Sequence, residues 1–279
     1  MTQPDTGALE SGEWEQGSLA AWETGPIGRS PLAGGGGGAA GPKDAAGPDH
    51  AADPGDGPRA EPVAGHPEAV RVEQGEAVLP SPAGPLPPGQ YIPRTLPVLH
   101  YGPVPAFRPE TWDLRIFGAT ASGSEARLSW PDVEALPTAQ IAADFHCVTK
   151  FTVPDICWAG VRAATVLGLF PPAPAVTHVM IWADFGYSAN IRISDFAADD
   201  TMLATHRDGN PLTPEHGFPL RLVVPSLYAW KSVKWVRAIE YLTMDRRGFW
   251  EERGYHNTAD PWREQRYSYQ ELDGEGPPL

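Results

Sequence analysis

The stretch "HGFPLRLVVPSLYAWKSVKW", His216 to Trp235, decides how this chain is read. In "FPLRLVVP" the period-two alternation puts Leu220 and Leu222 on one face and Arg221 on the other, so a strand is expected. A guanidinium beside a core strand needs an anion, because leaving it unpaired is costly. Lys231, Ser232 and Lys234 follow after a short loop and offer two ammonium groups, a hydroxyl and loop amides, a set that suits a phosphate. The residues alone leave two readings open: a phosphate pocket, or an acidic side chain paired with Arg221 beside a solvated lysine pair. No GxGxxG or Walker-type loop is present, which argues against a nucleotide held in a Rossmann or P-loop site.

Working outward, "SVKWVRAIEYL" alternates as another strand, and Asp208-Gly209 in "RDGNPL" favours a type I′ hairpin. Upstream, Trp112, Leu114 and Ile116 alternate as a strand, and "LSWPDVEALP" reads as a short helix capped by Ser129 with Pro131 in its first turn. Strands are expected over Ile141 to Val148 and Thr177 to Asp184, and helices over Gly160 to Phe170 and Ser194 to Ala204. "YIPRTLPVLHYGPVPAF" is an extended, proline-punctuated lead-in. No internal repeat is visible. The fold class is α+β, mixed and mainly β.

Residues 1–88 contrast with the rest. They are rich in Gly, Pro, Ala and acids, lack a sustained apolar period, and are expected to form a disordered tail. Residues 89–279 are expected to form one compact domain. Of the formal net charge of -14, the tail supplies thirteen acids against four bases, so the acidity is mostly solvating and nucleic acid is not an expected partner. No basic region followed by an apolar stretch opens the chain, and Pro171, Pro172 and Pro174 break its most apolar region. A soluble, cytoplasmic protein without a membrane span is the expectation.

There are two cysteines, neither in a CxxC pair, so no disulfide framework or zinc-finger spacing exists. Cys147 lies between His146 and Lys150, whose charges would favour the thiolate. A thiolate is a soft metal ligand. Three readings of Cys147 stand side by side: a buried structural thiol, a nucleophile and a metal ligand.

From about Leu96 to Trp262 the chain resembles the sulfite oxidase superfamily of molybdopterin enzymes, which includes a methionine-sulfoxide reductase branch. "LHYGPVP", "HCV", "GYSANI" and "HGFPLRLVVPSLYAWKSVKW" match in order, and "GFWEERGYHNTADPWREQRY" looks like the close of a bacterial single-domain subgroup. The resemblance implies a molybdopterin-binding domain of the sulfite oxidase type and a molybdenum-molybdopterin cofactor. It implies Cys147 as the protein's ligand to molybdenum, and leaves Cys157 as a core thiol. It implies that His216 and Arg221 contact the pterin and its phosphate, that Ser232, Val233 and Lys234 form the cofactor loop with Lys231 adjacent, and that His100 and Tyr101 pack on the pterin. Tyr187 matches an active-site tyrosine beside the metal.

The chain also departs from the pattern. Sulfite oxidases carry an asparagine-histidine pair where His100 and Tyr101 stand, preceded by an arginine that helps hold the anionic substrate; that position is Leu99 here. Its loss removes charge-assisted hydrogen bonds to a dianion. Lys150 could restore positive charge there or point at cofactor phosphate. The implied chemistry is oxygen-atom transfer on a small sulfur or nitrogen compound, with reduction of an S- or N-oxide favoured over sulfite-type oxidation. A non-catalytic anion- or partner-binding member is the opposing class. No heme domain or CxxCH site is seen, so a separate electron-transfer partner or carrier is expected.

Overall fold

The computed structural model describes residues 84–278; the expected tail lies almost wholly outside them. The elements in chain order are β1 (Asp113–Gly118), β2 (Ala126–Ser129), α1 (Trp130–Glu134), β3 (Ala139–His146), β4 (Thr152–Arg162) and α2 (Ala163–Leu169). They continue with β5 (His178–Ala183), β6 (Ser188–Arg192), α3 (Ile193–Phe196), β7 (Met202–Arg207), β8 (Asn210–Pro211), β9 (Arg221–Val223) and β10 (Val236–Leu242).

The strands form two five-stranded sheets, β2-β1-β10-β5-β6 and β3-β4-β7-β8, with β9 on β7 in the second. Only the β1–β10 pairing is parallel among the pairings of these strands. The main core lies between the sheets: Leu114, Ile116, Val179, Ile181, Ile191 and Ile239 meet Val161, Leu203, Leu220 and Leu222. A second cluster, with Phe145, Cys147, Trp158, Ala204 and Val223, covers the other side of the second sheet. Leu220 and Leu222 thus enter the main core while Arg221 points away, as their alternation requires.

Local signals are realised where they were strong. Ser129 and Asp132 form a capping box at α1, with Pro131 in the first turn. Asp208 and Gly209 take φ of 51° and 77° between β7 and β8, as a type I′ turn needs.

Two expected helices were placed wrongly. Gly160 to Arg162 end strand β4, and α2 begins only at Ala163. The reason is a close approach: a Cβ on Gly160 would lie 2.1 Å from the Leu203 carbonyl oxygen, so the glycine lets β4 and β7 pair there. Of Ser194 to Ala204, only the first residues lie in α3, and Met202 onward is β7, where Met202, Leu203 and Ala204 are fully buried between neighbouring strands. Among the described residues, no helix is long and apolar enough to cross a membrane.

Candidate active site and anion pocket

Cys147 directly follows β3. Its N–H donates to the Phe151 carbonyl (2.8 Å) and its carbonyl accepts from the Lys150 N–H (3.0 Å), closing a turn in which Lys150 has φ of 77°. The Gln90 amide also donates to the Cys147 carbonyl, at 3.2 Å. The thiol is 7% exposed and 3.1 Å from the Thr149 hydroxyl. Burial pushes the thiol up, opposed by the Thr149 hydrogen bonds and by Arg266. That corrects the expectation that His146 and Lys150 activate it. His146 turns inward to the Thr152 hydroxyl (2.9 Å), and burial pushes its pKa down, towards the neutral ring. The Lys150 side chain is exposed, and the cation that opposes burial at the thiol is Arg266. Cys157 is also free, and only half-buried rather than a core thiol.

Tyr187 leads into β6 from a tight turn and donates its hydroxyl to the Trp230 carbonyl at 2.6 Å. Burial first, then Glu251 and Tyr255, raise its pKa well above the ordinary value, so the phenol keeps its proton. A charge on Cys147 is felt at Tyr187, Tyr255 and Lys234, so the fold brings these groups around the thiol. Tyr187 also faces Phe249 at 5.6 Å. Tyr101 packs on the same ring at 4.4 Å and on Trp250 at 6.5 Å. His100 meets the Trp235 ring at 5.2 Å and pairs with the Gly102 carbonyl at 2.9 Å. Leu99 is 51% exposed, and its carbonyl accepts from the Lys234 ammonium at 2.8 Å.

Lys234 leads to the cationic pocket. His216 closes a 3-10 turn, Pro214–His216, followed by Gly217 with φ of 109°. A Cβ on Gly217 would stand 2.9 Å from Arg221 Cβ and 3.3 Å from Lys234 Cβ, so only glycine lets these two cations flank it. Arg221 is buried, donates to the His216 and Ser232 carbonyls at 3.1 Å each, and stacks over Phe145 and Trp158 at 5.1 Å each. Among the described residues no carboxylate pairs with it. Burial, then Arg207, brings its pKa down to about 9. Burial, then Arg221, brings Lys234 down to about 7, although its ammonium also donates to the Glu215 carbonyl at 2.6 Å. His216 falls to about 4 through burial, then Arg207, Lys234 and Arg221.

The remaining loop residues separate in role. The Ser232 hydroxyl accepts from the Val224 N–H at 3.0 Å, and Val233 is a core side chain, so both support the loop from inside. Lys231 corrects its assignment to cofactor. Its ammonium is 1% exposed, lies 2.5 Å from a Glu251 carboxylate oxygen, and donates to Asn190 and to the Asn257 carbonyl. The acidic-partner reading fails twice, because among the described residues Arg221 has no acidic partner and Lys231 is not solvated. The phosphate reading loses Lys231, which is paired with Glu251. Sequence reasoning also missed Arg207, Trp158, Tyr255 and Arg266. They lie outside the motif blocks or carried no signal within them, and only strand pairing and the returning C-terminal segment bring them in.

Among the described residues no group of three or more His, Cys, Asp or Glu could hold a metal. A lone thiolate does not make a metal site, so a metal at Cys147 must arrive with other ligands of its own. A cofactor with an anionic tail suits this arrangement, because among the described residues Arg221 and Lys234 lack carboxylate ion-pair partners and two buried donors nearby, Arg207 Nη1 and Trp158 Nε1, lack any acceptor.

Comparison with known proteins agrees. Residues 101–250 match the model of the oxidoreductase molybdopterin binding domain. The chain is 40% identical over 188 residues to an uncharacterized oxidoreductase, YuiH, of Bacillus subtilis, covering 67% of this chain and 94% of that protein. It is 28% identical to the mitochondrial sulfite oxidase of Drosophila melanogaster, covering 57% of this chain and 32% of that protein. It is 24% identical to an NADH nitrate reductase of Cichorium intybus, covering 55% of this chain and 20% of that protein. The chain therefore spans a third or less of those two longer enzymes. With a thiol set at the end of β3, an anion pocket beside it and these matches, the chain belongs to the oxidoreductase molybdopterin-binding family and is a molybdenum-dependent oxidoreductase of the sulfite oxidase superfamily.

Proposed function

We propose that this enzyme transfers an oxygen atom at a Cys147-ligated molybdenum, reducing a small S- or N-oxide of low charge. When bound, the cofactor supplies the metal that exchanges the oxygen atom and the electrons. The chain supplies the Cys147 thiolate, the cations that hold the cofactor's phosphate, and the residues from Leu99 to Tyr101 that select substrate. One observation carries the substrate class. Leu99 is exposed, Tyr101 packs on Phe249, and Lys234, which reaches this segment, is committed to the Leu99 and Glu215 carbonyls. The Arg253 guanidinium is stacked on the Phe249 ring (3.7 Å) and donates to the Phe249 carbonyl. With Leu99 in place of an arginine, a sulfite dianion would therefore lack an uncommitted guanidinium there, whereas a neutral sulfoxide or amine oxide needs only one hydrogen-bond donor for its oxygen.

Tyr187 is that donor. Its pKa, raised by burial, keeps the proton on oxygen, and turning the hydroxyl from the Trp230 carbonyl to a substrate oxygen either orients that oxygen or protonates it. Sulfite-type oxidation is the second reading, favoured by Arg266, a cation that acts on Cys147. We take the electron partner to be a separate protein or small carrier, and the compartment to be the cytoplasm.

The test is a screen of purified holoenzyme. Turnover of sulfoxides or N-oxides with reduced viologen, and none of sulfite with ferricyanide, is the expected result. Efficient sulfite oxidation with no oxide reduction overturns the substrate class.

A further inference from the structure

Arg207 ends β7 and belongs to none of the motifs that pointed to the cofactor. The register shows why it matters. Trp158 pairs with Arg207 and Ala159 with His206, but Gly160 then pairs with Ala204, so β7 carries one extra residue, a bulge. In a regular strand Arg207, three residues past Ala204, would face the opposite side. The bulge restores it to the Ala204 side. Ala204 pairs with Arg221 on β9, so Arg207, Trp158 and Arg221 share one face of the sheet.

On that face two donors are left over. The Trp158 ring is fully buried beneath Arg221 (5.1 Å), and among the described residues its indole N–H has no acceptor. Arg207 Nη1 is likewise buried and without an acceptor. The carboxylate beside Arg207, that of Asp208, lies 3.5 Å from Nε, is 56% exposed, and also accepts from the Cys157 N–H at 3.0 Å. It leaves Nη1 free. Buried donors of this kind ordinarily have a partner. After burial, Arg207 is the leading influence on both His216 and Arg221, which places its charge at the pocket these residues line.

We propose that Arg207 and the Trp158 indole N–H complete a dianion subsite with Arg221 and Lys234, and that its occupant is the phosphate monoester of the pterin cofactor. The inference rests on the cofactor reading for the source of the phosphate, not for the existence of the subsite. Arg207 supplies a cation and a directed N–H, Trp158 a neutral N–H from below, and His216, held neutral by its surroundings, can donate without adding charge.

The test uses the full chain from a host unable to make molybdopterin, titrated calorimetrically with inorganic phosphate, and the same variants purified from a molybdenum-sufficient host. Arg207→Gln should weaken phosphate binding at least tenfold, Trp158→Phe severalfold with the ring retained, and Arg207→Lys should restore part of the loss. Molybdenum and pterin content should fall in the same order. Phosphate binding by Arg207→Gln equal to wild type, or no phosphate binding by wild type, overturns the subsite. Weakened phosphate binding with unchanged pterin content overturns the cofactor as its occupant. A wild-type protein that binds phosphate through Arg207 yet carries no pterin sinks the molybdopterin reading and leaves the subsite standing. Should Arg207→Gln fail to fold, Arg207→Lys and Trp158→Phe decide the matter by the same measurements.

Discussion

Lys231 and Lys234 lie three residues apart, each next to a pocket of polar groups, and the two pockets have opposite characters. Around Lys231 positive and negative charge match: a Glu251 oxygen takes both the ammonium and the Trp230 indole N–H (2.9 Å), while Asn190 and Asn257 supply further oxygens. Around Lys234 the cations of Arg221 and Arg207 accumulate against carbonyl dipoles and the peripheral carboxylates of Glu215 and Asp208. A buried network that balances its charge within the protein fastens the fold. One that gathers like charge is stable only because the fold forces it, and it gains most from a ligand of opposite charge. The lesson is that partners, more than burial, separate a structural cation from a binding one.

The largest effect is expected at the balanced pocket. Lys231→Met leaves the Glu251 carboxylate buried without its cation, and removing one partner of a buried pair costs about 3–5 kcal/mol. Melting temperature should drop by similar amounts in the cofactor-loaded and cofactor-free protein. A loss confined to the loaded form would make Lys231 a cofactor ligand after all.

Arg221→Ala sharpens the other side. It removes charge-assisted hydrogen bonds to the phosphate worth roughly 1.5–3 kcal/mol each, together with a stacked plane over Phe145 and Trp158. Cofactor occupancy should fall, and melting should suffer more in the loaded protein than in the cofactor-free one. Equal losses would mean that Arg221 serves packing alone.

A smaller effect follows from Lys234. Burial, then Arg221, holds its pKa at about 7, against the usual 10.5. Between these values the unfolded chain binds a proton that the folded chain has lost, so the cofactor-free protein should gain stability as pH rises through that window. Sulfate keeps its charge there and needs a charged Lys234, so sulfate affinity should decline as pH climbs above about 7. Lys234→Gln should flatten both curves; unchanged slopes would place the titration elsewhere.

The smallest change in stability belongs to the thiols. Cys147→Ser should fold as wild type yet lose all turnover, because a hard hydroxyl replaces a soft ligand. Cys157→Ser, at a half-buried position, should keep both stability and turnover. Similar turnover in the two variants would remove Cys147 from the metal.

What could be read in the sequence was what a few neighbouring residues decide. The alternation around Arg221, the Ser129 cap and the Asp208-Gly209 turn depend on spacing alone, and each is present. The motif blocks brought His216, Arg221 and Lys234 together, and set Cys147 beside Tyr187. Strand β7 was hidden because its burial comes from β4 and β9, and Gly160 reads as helix until Leu203 is seen pressed against it. The two lysines could not be told apart, since Glu251 meets Lys231 only through the returning C-terminal segment. Arg207 was invisible for a similar reason. A bulge sets its side, and bulges are properties of a pair of strands.

Gly217 carries a kinetic consequence. Its missing side chain leaves room for the Arg221 and Lys234 stems on either side, and backbone carbonyls hold both cationic groups in place. An anion entering such a preset gap need not gather its own cations, so little ordering opposes its capture. Leaving is harder, because departure returns like charges to one another in a poorly hydrated space. The glycine therefore acts on residence time: the pocket should fill readily during biosynthesis and empty slowly afterwards, as a tightly held prosthetic group requires.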